Sequence, residues 1–231
     1  MFGERLRAML GDPGVRRSPA SQAVSSAESA PSSRTEQVYC RPSHALSQFF
    51  SSTSELKGFP LLDLAGANQA NISFITEMGF RLYSDDTMRV LETSFGRGRD
   101  SLENQSDPDR VDRFMAATLD YPDNQFCGAL LWDVLQFLAP PLLQDAVDQL
   151  YRILMPGAYM FAIFHANERC PEVSLYSYRI ADSKSLVLSA RNESRPANYF
   201  NNRAIEKLFL QFDYVKFFLT RDNLREIIVR R

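Results

Sequence analysis

The most informative stretch of the chain is a short apolar run that leads into a helical pattern. The run over residues 60–62 ends at Asp63, small or polar residues follow, and apolar side chains then recur at helical spacing at Ile72, Ile75 and Met78. This pattern predicts a strand, a tight loop and a helix, the opening unit of an open α/β sheet. In such sheets a ligand lies at the carboxyl end of the strand. Small side chains let the loop backbone approach that ligand closely.

A second short strand is predicted directly after this helix. Gly79 ends the helix, and the run over residues 80–83 leads into Asp85 and Asp86. A carboxylate at this position can accept hydrogen bonds from both hydroxyls of a ribose. Because that geometry suits any ligand that carries adenosine, the strand pattern alone does not choose among such ligands.

The spacing of apolar residues predicts the remaining elements. Strands are expected over residues 126–131, 159–164, 175–180, 186–188, 214–220 and 224–230, and helices over 43–56, 108–118, 142–154 and 205–212, with another beginning at 87. Residues 95–108 are predicted to form a loop and residues 155–157 a turn. The strands over 175–180 and 186–188 form a small inserted hairpin. The last two strands are antiparallel neighbours, because only a short turn joins them.

Composition separates an N-terminal tail from the folded part. Residues 12–36 are rich in Ser, Ala and Pro and have almost no large apolar side chains. Such a segment buries too little surface to offset the entropy of ordering it. We therefore predict a disordered tail over residues 1–37 and one domain over 38–231, with the inserted hairpin near 174–190.

Overall charge and cysteine content exclude several classes of protein. The 231 residues carry a net charge of −2, which disfavours a nucleic-acid partner or an anionic membrane surface. No apolar run approaches the roughly 20 residues of a membrane helix, and we expect a soluble, cytoplasmic protein. Cys40, Cys127 and Cys170 are predicted to be reduced thiols. The two histidines and these cysteines have no zinc-site spacing, so no metal is expected.

From Val38 onward the chain resembles the class I S-adenosylmethionine-dependent methyltransferases. Their first motif, Asp-x-Gly-x-Gly-x-Gly, is matched here by Asp-Leu-Ala-Gly-Ala-Asn-Gln over residues 63–69. Their ribose-binding acid is matched by Asp85, with Asp86 next to it. Residues 119–126 are similar to their Leu-Pro-Phe-x-Asp-x-x-Phe-Asp segment, and residues 152–158 to their Arg-x-Leu-x-Pro-Gly-Gly turn. The closing hairpin also suits their sheet, in which the last strand is inserted antiparallel.

The resemblance implies a Rossmann-like α/β fold: a mostly parallel sheet closed by an antiparallel C-terminal hairpin, with helices on both faces. It implies S-adenosylmethionine as the cofactor, held by Asp63, Ala65, Gly66, Ala67, Asn68, Asp85 and Asp86. The sequence departs from the family at the three glycine positions, which hold Ala65, Ala67 and Gln69. No acid stands near residues 114–115, where the family's adenine-facing acid is expected.

Three further residues are candidates for the chemistry. Methyl transfer is an in-line displacement, for which the protein supplies alignment and a base. Trp132 either stacks on the acceptor or shields the sulfonium, or it packs in the core. Asp133 is either a base or a helix cap, and His165 is either a base or a structural residue. Tyr176, Tyr178 and Arg179 of the inserted hairpin either cover the acceptor pocket or face solvent.

We therefore expect methyl transfer to a small-molecule acceptor. The alternative is a non-catalytic binding or regulatory module of the same fold, because such a module would not need the missing glycines. A nucleotide-dependent dehydrogenase is disfavoured, because the Gly-x-Gly-x-x-Gly fingerprint is absent and a closing hairpin is unexpected there.

Overall fold

The computed structural model describes residues 38–169, 172–220 and 222–231. Its strands are β1 (Val38–Pro42), β2 (Pro60–Asp63), β3 (Arg81–Ser84), β4 (Phe126–Trp132), β5 (Leu154–His165), β6 (Glu172–Asp182), β7 (Ser185–Pro196), β8 (Tyr214–Leu219) and β9 (Leu224–Arg230). Its α-helices are α1 (His44–Ser52), α2 (Gln69–Glu77), α3 (Thr87–Phe95), α4 (Pro108–Thr118), α5 (Pro140–Ile153) and α6 (Asn202–Leu208). The predicted tail and Cys170 lie outside the described residues.

Six strands form the main sheet, in the order β3-β2-β4-β5-β9-β8. Strands β2, β3, β4 and β5 pair in parallel, whereas β9 is antiparallel to both β5 and β8. A parallel sheet with its last strand inserted antiparallel is the arrangement that the closing hairpin predicted. The protein therefore has the class I methyltransferase fold, as expected.

Helices cover both faces of the main sheet. Along β4 every residue is buried, and alternate side chains enter different cores, because successive residues of a strand face opposite sides. Ala129 and Leu131 pack in one core with residues of α3, α4, α5 and α6. Leu130 and Trp132 pack in the other with residues of α1, α2 and the inserted strands.

The inserted strands form a separate small sheet, in the order β1-β7-β6, with antiparallel pairing throughout. The predicted hairpin is therefore present but longer, since β6 and β7 extend well beyond residues 175–180 and 186–188. Strand β1 was not predicted, because its five residues show no apolar alternation and it is held by pairing with β7. Tyr178, Ile180, Leu186 and Leu188 of this sheet pack against the main sheet.

The turn predicted at residues 155–157 is wrong, because these residues belong to β5. Phe126 pairs with Leu154 and Gly128 with Tyr159, so the register shifts here and β5 carries a bulge. Gly157, at φ +80°, supplies the backbone conformation that the bulge needs. The helix predicted over 43–56 ends at Ser52 and is followed by a 3₁₀ turn, and the predicted loop over 95–108 contains two such turns.

Candidate functional site

A cavity of about 210 Å³ lies where the strand order of the main sheet changes direction. The chain leaves β2 toward β3 on one side and leaves β4 toward β5 on the other. Ligands of open α/β sheets bind at this crevice, outside the carboxyl ends of the strands. The walls of this central cavity come from the loop after β2, from the end of β4 and from the small sheet, and include Ala65, Ala67, Asn68, Trp132, Asp133, Tyr178 and Arg191.

The side chain of Asp63 holds the loop after β2 in place. Its side chain is only 1% exposed, and its Oδ1 accepts hydrogen bonds from the backbone N–H of Ala65 at 3.0 Å and from the Trp132 indole at 2.6 Å. Burial raises the pKa of Asp63, while these two donors oppose the rise. Asp63 is thus an anchor for the loop backbone and for Trp132.

The loop needs only one glycine, and the sequence keeps it. Gly66 has φ +83°, whereas Ala65 and Ala67 do not have positive φ. A Cβ at position 66 would lie 3.1 Å from both Cβ and Cγ of Asp86, closer than ordinary packing allows. The alanines that depart from the family motif therefore stand where the backbone accepts any small residue.

The two acids after β3 have different surroundings. Asp85 Oδ2 accepts a hydrogen bond from the Tyr121 hydroxyl at 2.7 Å, and burial raises the pKa of Asp85. Asp86 caps α3 by accepting from the backbone N–H of Arg89 at 3.0 Å, and it packs against Gly66. Neither carboxylate lines the central cavity.

Trp132 is held in a conformation that large side chains rarely adopt. Its φ is +52°, a strained value for a bulky residue that persists only where the surroundings impose it. The indole bonds to Asp63, stacks on Tyr178 with ring centroids 5.2 Å apart, and meets the edge of Phe161 at 5.6 Å. Trp132 therefore serves both as core packing and as part of the cavity wall.

Asp133 is a buried acid at the cavity. It is 6% exposed and makes no capping bond to the 3₁₀ turn that follows, Val134–Phe137, so the cap interpretation is wrong. Burial raises the pKa of Asp133 to about 6, although Tyr178 and Arg191 oppose the rise. The Tyr178 hydroxyl lies beside Asp133, is buried, and makes no hydrogen bond of regular geometry within the described residues.

His165 lies apart from these groups. It ends β5, and its Nδ1 accepts from the backbone N–H of Asn167 at 3.3 Å while its own backbone N–H donates to Gln136. Burial lowers the pKa of its imidazole. The residue borders a smaller cleft with Val173 and Asn198. The structure therefore brings Trp132 and Asp133 together but leaves His165 outside the central cavity.

Two polar residues of the site were not found from the sequence. Arg191 lies on β7 beyond the predicted end of that strand at residue 188, and its Nε donates to Ser177 Oγ at 3.0 Å. Tyr121, whose hydroxyl bonds to Asp85, lies in an irregular segment before β4. The polar end of β7 gave no strand signal, so the direction of Arg191 could not be foreseen.

The small sheet is fixed over the site at two places. The buried side chain of Asn71 on α2 donates to the Tyr178 carbonyl at 3.2 Å and accepts from the Ile180 backbone N–H at 2.8 Å. On the other side, Arg195 of β7 forms a buried ion pair with Glu92 of α3. Both contacts hold Tyr178 and Arg191 at the cavity.

Within the described ranges, no helix is both long enough and apolar enough to cross a bilayer. The same residues contain no group of three or more His, Cys, Asp or Glu side chains placed to hold a metal ion.

The chain is similar to solved structures, and the three described here are 11–13% identical to it. No family model matches the chain, and the comparison with curated proteins gives no match. The chain is similar to 1,6-didemethyltoxoflavin-N1-methyltransferase of Burkholderia thailandensis, solved with 1,6-didemethyltoxoflavin and S-adenosylhomocysteine, at 11% identity, a TM-score of 0.44, and coverage of 81% of this chain and 76% of that one.

Two further solved structures are S-adenosylmethionine-dependent methyltransferases. That of Mesorhizobium loti is 13% identical, with a TM-score of 0.43 and coverage of 80% of this chain and 96% of that one. That of Aquifex aeolicus is 12% identical, with a TM-score of 0.40 and coverage of 81% and 93%. The fold assignment rests on the strand order described above, and these matches carry no acceptor or activity over to this chain.

Proposed function

We propose that the protein transfers a methyl group from S-adenosylmethionine to a small molecule bound in the central cavity. The observation that carries the proposal is the position of this cavity. It lies at the switch point of a class I methyltransferase sheet, between the loop that contains Gly66 and a buried acid. This is the place where such a sheet binds its ligand.

The residues fit the cofactor along the ends of β2 and β3. The side chains of the loop are small at Ala65 and Ala67, so a ligand could approach the backbone closely. Asp85 keeps Oδ1 without a hydrogen bond among the described residues, which leaves one carboxylate oxygen for a ribose hydroxyl. We therefore assign the loop to the amino acid end of the cofactor and Asp85 to its ribose.

The size of the cavity constrains this assignment. A volume of about 210 Å³ is below the roughly 300–1,000 Å³ of pockets that enclose drug-sized ligands. The complete cofactor would therefore extend beyond the cavity, along the strand ends toward Asp85. The cavity itself would hold the reacting end and the acceptor.

The chemistry assigned to this chain is alignment and proton removal. The bound cofactor supplies a methyl group that is already activated. Asp133 would accept the proton of the acceptor, since a base works best when its pKa lies near the operating pH and that of Asp133 is about 6. Trp132 would exclude water and keep the loop acid Asp63 in place. No step is assigned to His165, whose predicted role as a base stays untested.

Calorimetric titration with S-adenosylmethionine and S-adenosylhomocysteine tests the proposal. We expect binding that Asp85→Ala weakens about tenfold or more, because a hydrogen bond to a charged group contributes about 1.5–3 kcal/mol. Asp145→Ala, which removes an exposed carboxylate of α5, should leave the affinity unchanged. If the folded protein binds neither compound at millimolar concentration, the proposal is wrong and the non-catalytic module becomes the better interpretation.

A further inference from the structure

We infer that the central cavity binds a small acceptor of one chemical class: a single aromatic ring that carries a hydroxyl group and an anionic substituent. This inference rests on the proposed function for the role of the bound molecule as acceptor. Its evidence is the volume of the cavity and the arrangement of Trp132, Asp133, Tyr178 and Arg191 around it.

The volume limits the ligand to one ring. An apolar cavity of about 150 Å³ in a protein core is enough to bind benzene, and the central cavity measures about 210 Å³. Part of its wall is the loop of Ala65, Ala67 and Asn68, which the proposed function assigns to the cofactor. The space that remains suits one substituted ring.

The walls favour an aromatic ring. Trp132 and Tyr178 form a stacked pair with an angle of 16° between their planes, and Met88, Val134 and Leu175 add apolar surface. Aromatic rings gain energy from edge and offset contacts with other rings beyond the gain from burial.

A hydroxyl group satisfies the two polar groups inside the cavity at once. The Tyr178 hydroxyl is buried beside the Asp133 carboxylate but makes no hydrogen bond of regular geometry within the described residues, so a group that bridges the two would satisfy both. A ligand hydroxyl accepts from Tyr178 through its lone pair and donates to Asp133. A protonated amine has no lone pair, so it could donate to Asp133 but could not accept from Tyr178 and bridge the two groups. Buried polar groups without partners are costly, so the pair selects a hydroxyl.

Arg191, which also lines the cavity, suits an anionic substituent on the ring. It is exposed, and its one hydrogen bond among the described residues runs from Nε to Ser177 Oγ at 3.0 Å. Its two terminal nitrogens are therefore available. A guanidinium presents these nitrogens in a fork that matches a carboxylate.

Titration with 4-hydroxybenzoate as the probe tests this inference, both without and with saturating S-adenosylhomocysteine. We expect binding in at least one of the two conditions, and about tenfold weaker binding of benzoate, which lacks the hydroxyl, and of phenol, which lacks the carboxylate. Tyr178→Phe should weaken binding of 4-hydroxybenzoate about tenfold but leave benzoate unchanged, because the ring of the side chain is retained. Arg191→Gln should weaken the binding of 4-hydroxybenzoate and leave the binding of phenol, which lacks the carboxylate, unchanged.

Arg203→Gln, at an exposed arginine of α6, is the matched control and should change no affinity. The inference is overturned if 4-hydroxybenzoate fails to bind the folded protein in both conditions, or if neither Tyr178→Phe nor Arg191→Gln changes its affinity. The two proposals fail separately. If S-adenosylhomocysteine binds and 4-hydroxybenzoate does not, the proposed function stands and the inference on the acceptor is wrong. If 4-hydroxybenzoate binds and S-adenosylhomocysteine does not, the ligand class is supported and the proposed methyl transfer is wrong.

Discussion

Replacing Asp133 with asparagine tests whether the cavity acid is held in an environment that raises its pKa. The substitution keeps the shape of the side chain and removes the group that titrates. Burial raises the pKa of Asp133 from its ordinary value of 3.8 to about 6. Such a carboxyl group binds more protons in the folded state than in the unfolded state. Its ionisation therefore destabilises the fold as the pH rises from about 4 to 6, and the cost disappears as the pH falls.

The expected size of this cost follows from the shift in pKa. At 1.36 kcal/mol per unit, a shift of about two units destabilises the folded protein by about 3 kcal/mol at pH 7.5, but by only about 0.5 kcal/mol at pH 4. Asparagine carries no charge and escapes the penalty. The free energy of unfolding of Asp133→Asn, measured relative to that of the wild type, should therefore rise by about 2–3 kcal/mol when the pH is raised from 4 to 7.5.

Urea unfolding at pH 4, 5, 6 and 7.5, followed by circular dichroism, measures this difference directly. Asp63, Asp85 and Glu226 also have raised pKa values and contribute to the pH dependence of the wild type. The difference between wild type and variant removes their contribution, provided that they titrate alike in both. Asp145→Asn, which makes the same substitution at an exposed acid of α5, is the matched control. If the difference in free energy of unfolding between the wild type and Asp133→Asn is the same at all four pH values, the reasoning is refuted.

Three further substitutions test other parts of the site. Gly66→Ala should destabilise the protein by about 1–2 kcal/mol, since it places a Cβ at positive φ. It should also weaken the binding of S-adenosylhomocysteine, measured by calorimetry. Trp132→Phe should cost about 2 kcal/mol in urea unfolding, because the buried Asp63 loses a donor. Arg195→Met should cost about 2 kcal/mol in the same assay, because Glu92 loses the buried one of its two arginine partners and keeps only the exposed Arg97.

For each of these three substitutions, a particular result would contradict the expectation. Gly98→Ala should be nearly neutral, as Gly98 has negative φ and open space around its Cα, and an equal loss at both glycines would contradict the role of the loop conformation. If Trp132→Phe is as stable as the wild type, the bond to Asp63 contributes nothing to stability. Arg97→Met removes the exposed partner of Glu92 and should cost much less than Arg195→Met. The reverse order would mean that the exposed Arg97–Glu92 ion pair, and not the buried Arg195–Glu92 ion pair, contributes most to stability.

Local patterns in the sequence determined most of the main sheet. The strands and helices from Pro60 to Ile153 were predicted close to their observed bounds, because a buried face imposes a period that any short window reveals. The loop at Gly66 was found for the same reason. Its conformation was not, since the sequence shows which residues replace the family glycines but not which of those positions has positive φ.

Only the tertiary structure decided which groups meet at the cavity. Trp132 bonds to Asp63 across 69 residues of chain, Asn71 to Tyr178 across 107, and Arg195 to Glu92 across 103. Such contacts leave no periodic signal, because either partner alone is an ordinary polar residue of a strand or helix. The separation of His165 from Asp133 has the same origin. Asp133 follows β4 and His165 ends β5, its parallel neighbour, but where the two side chains lie depends on how the small sheet packs over the ends of those strands.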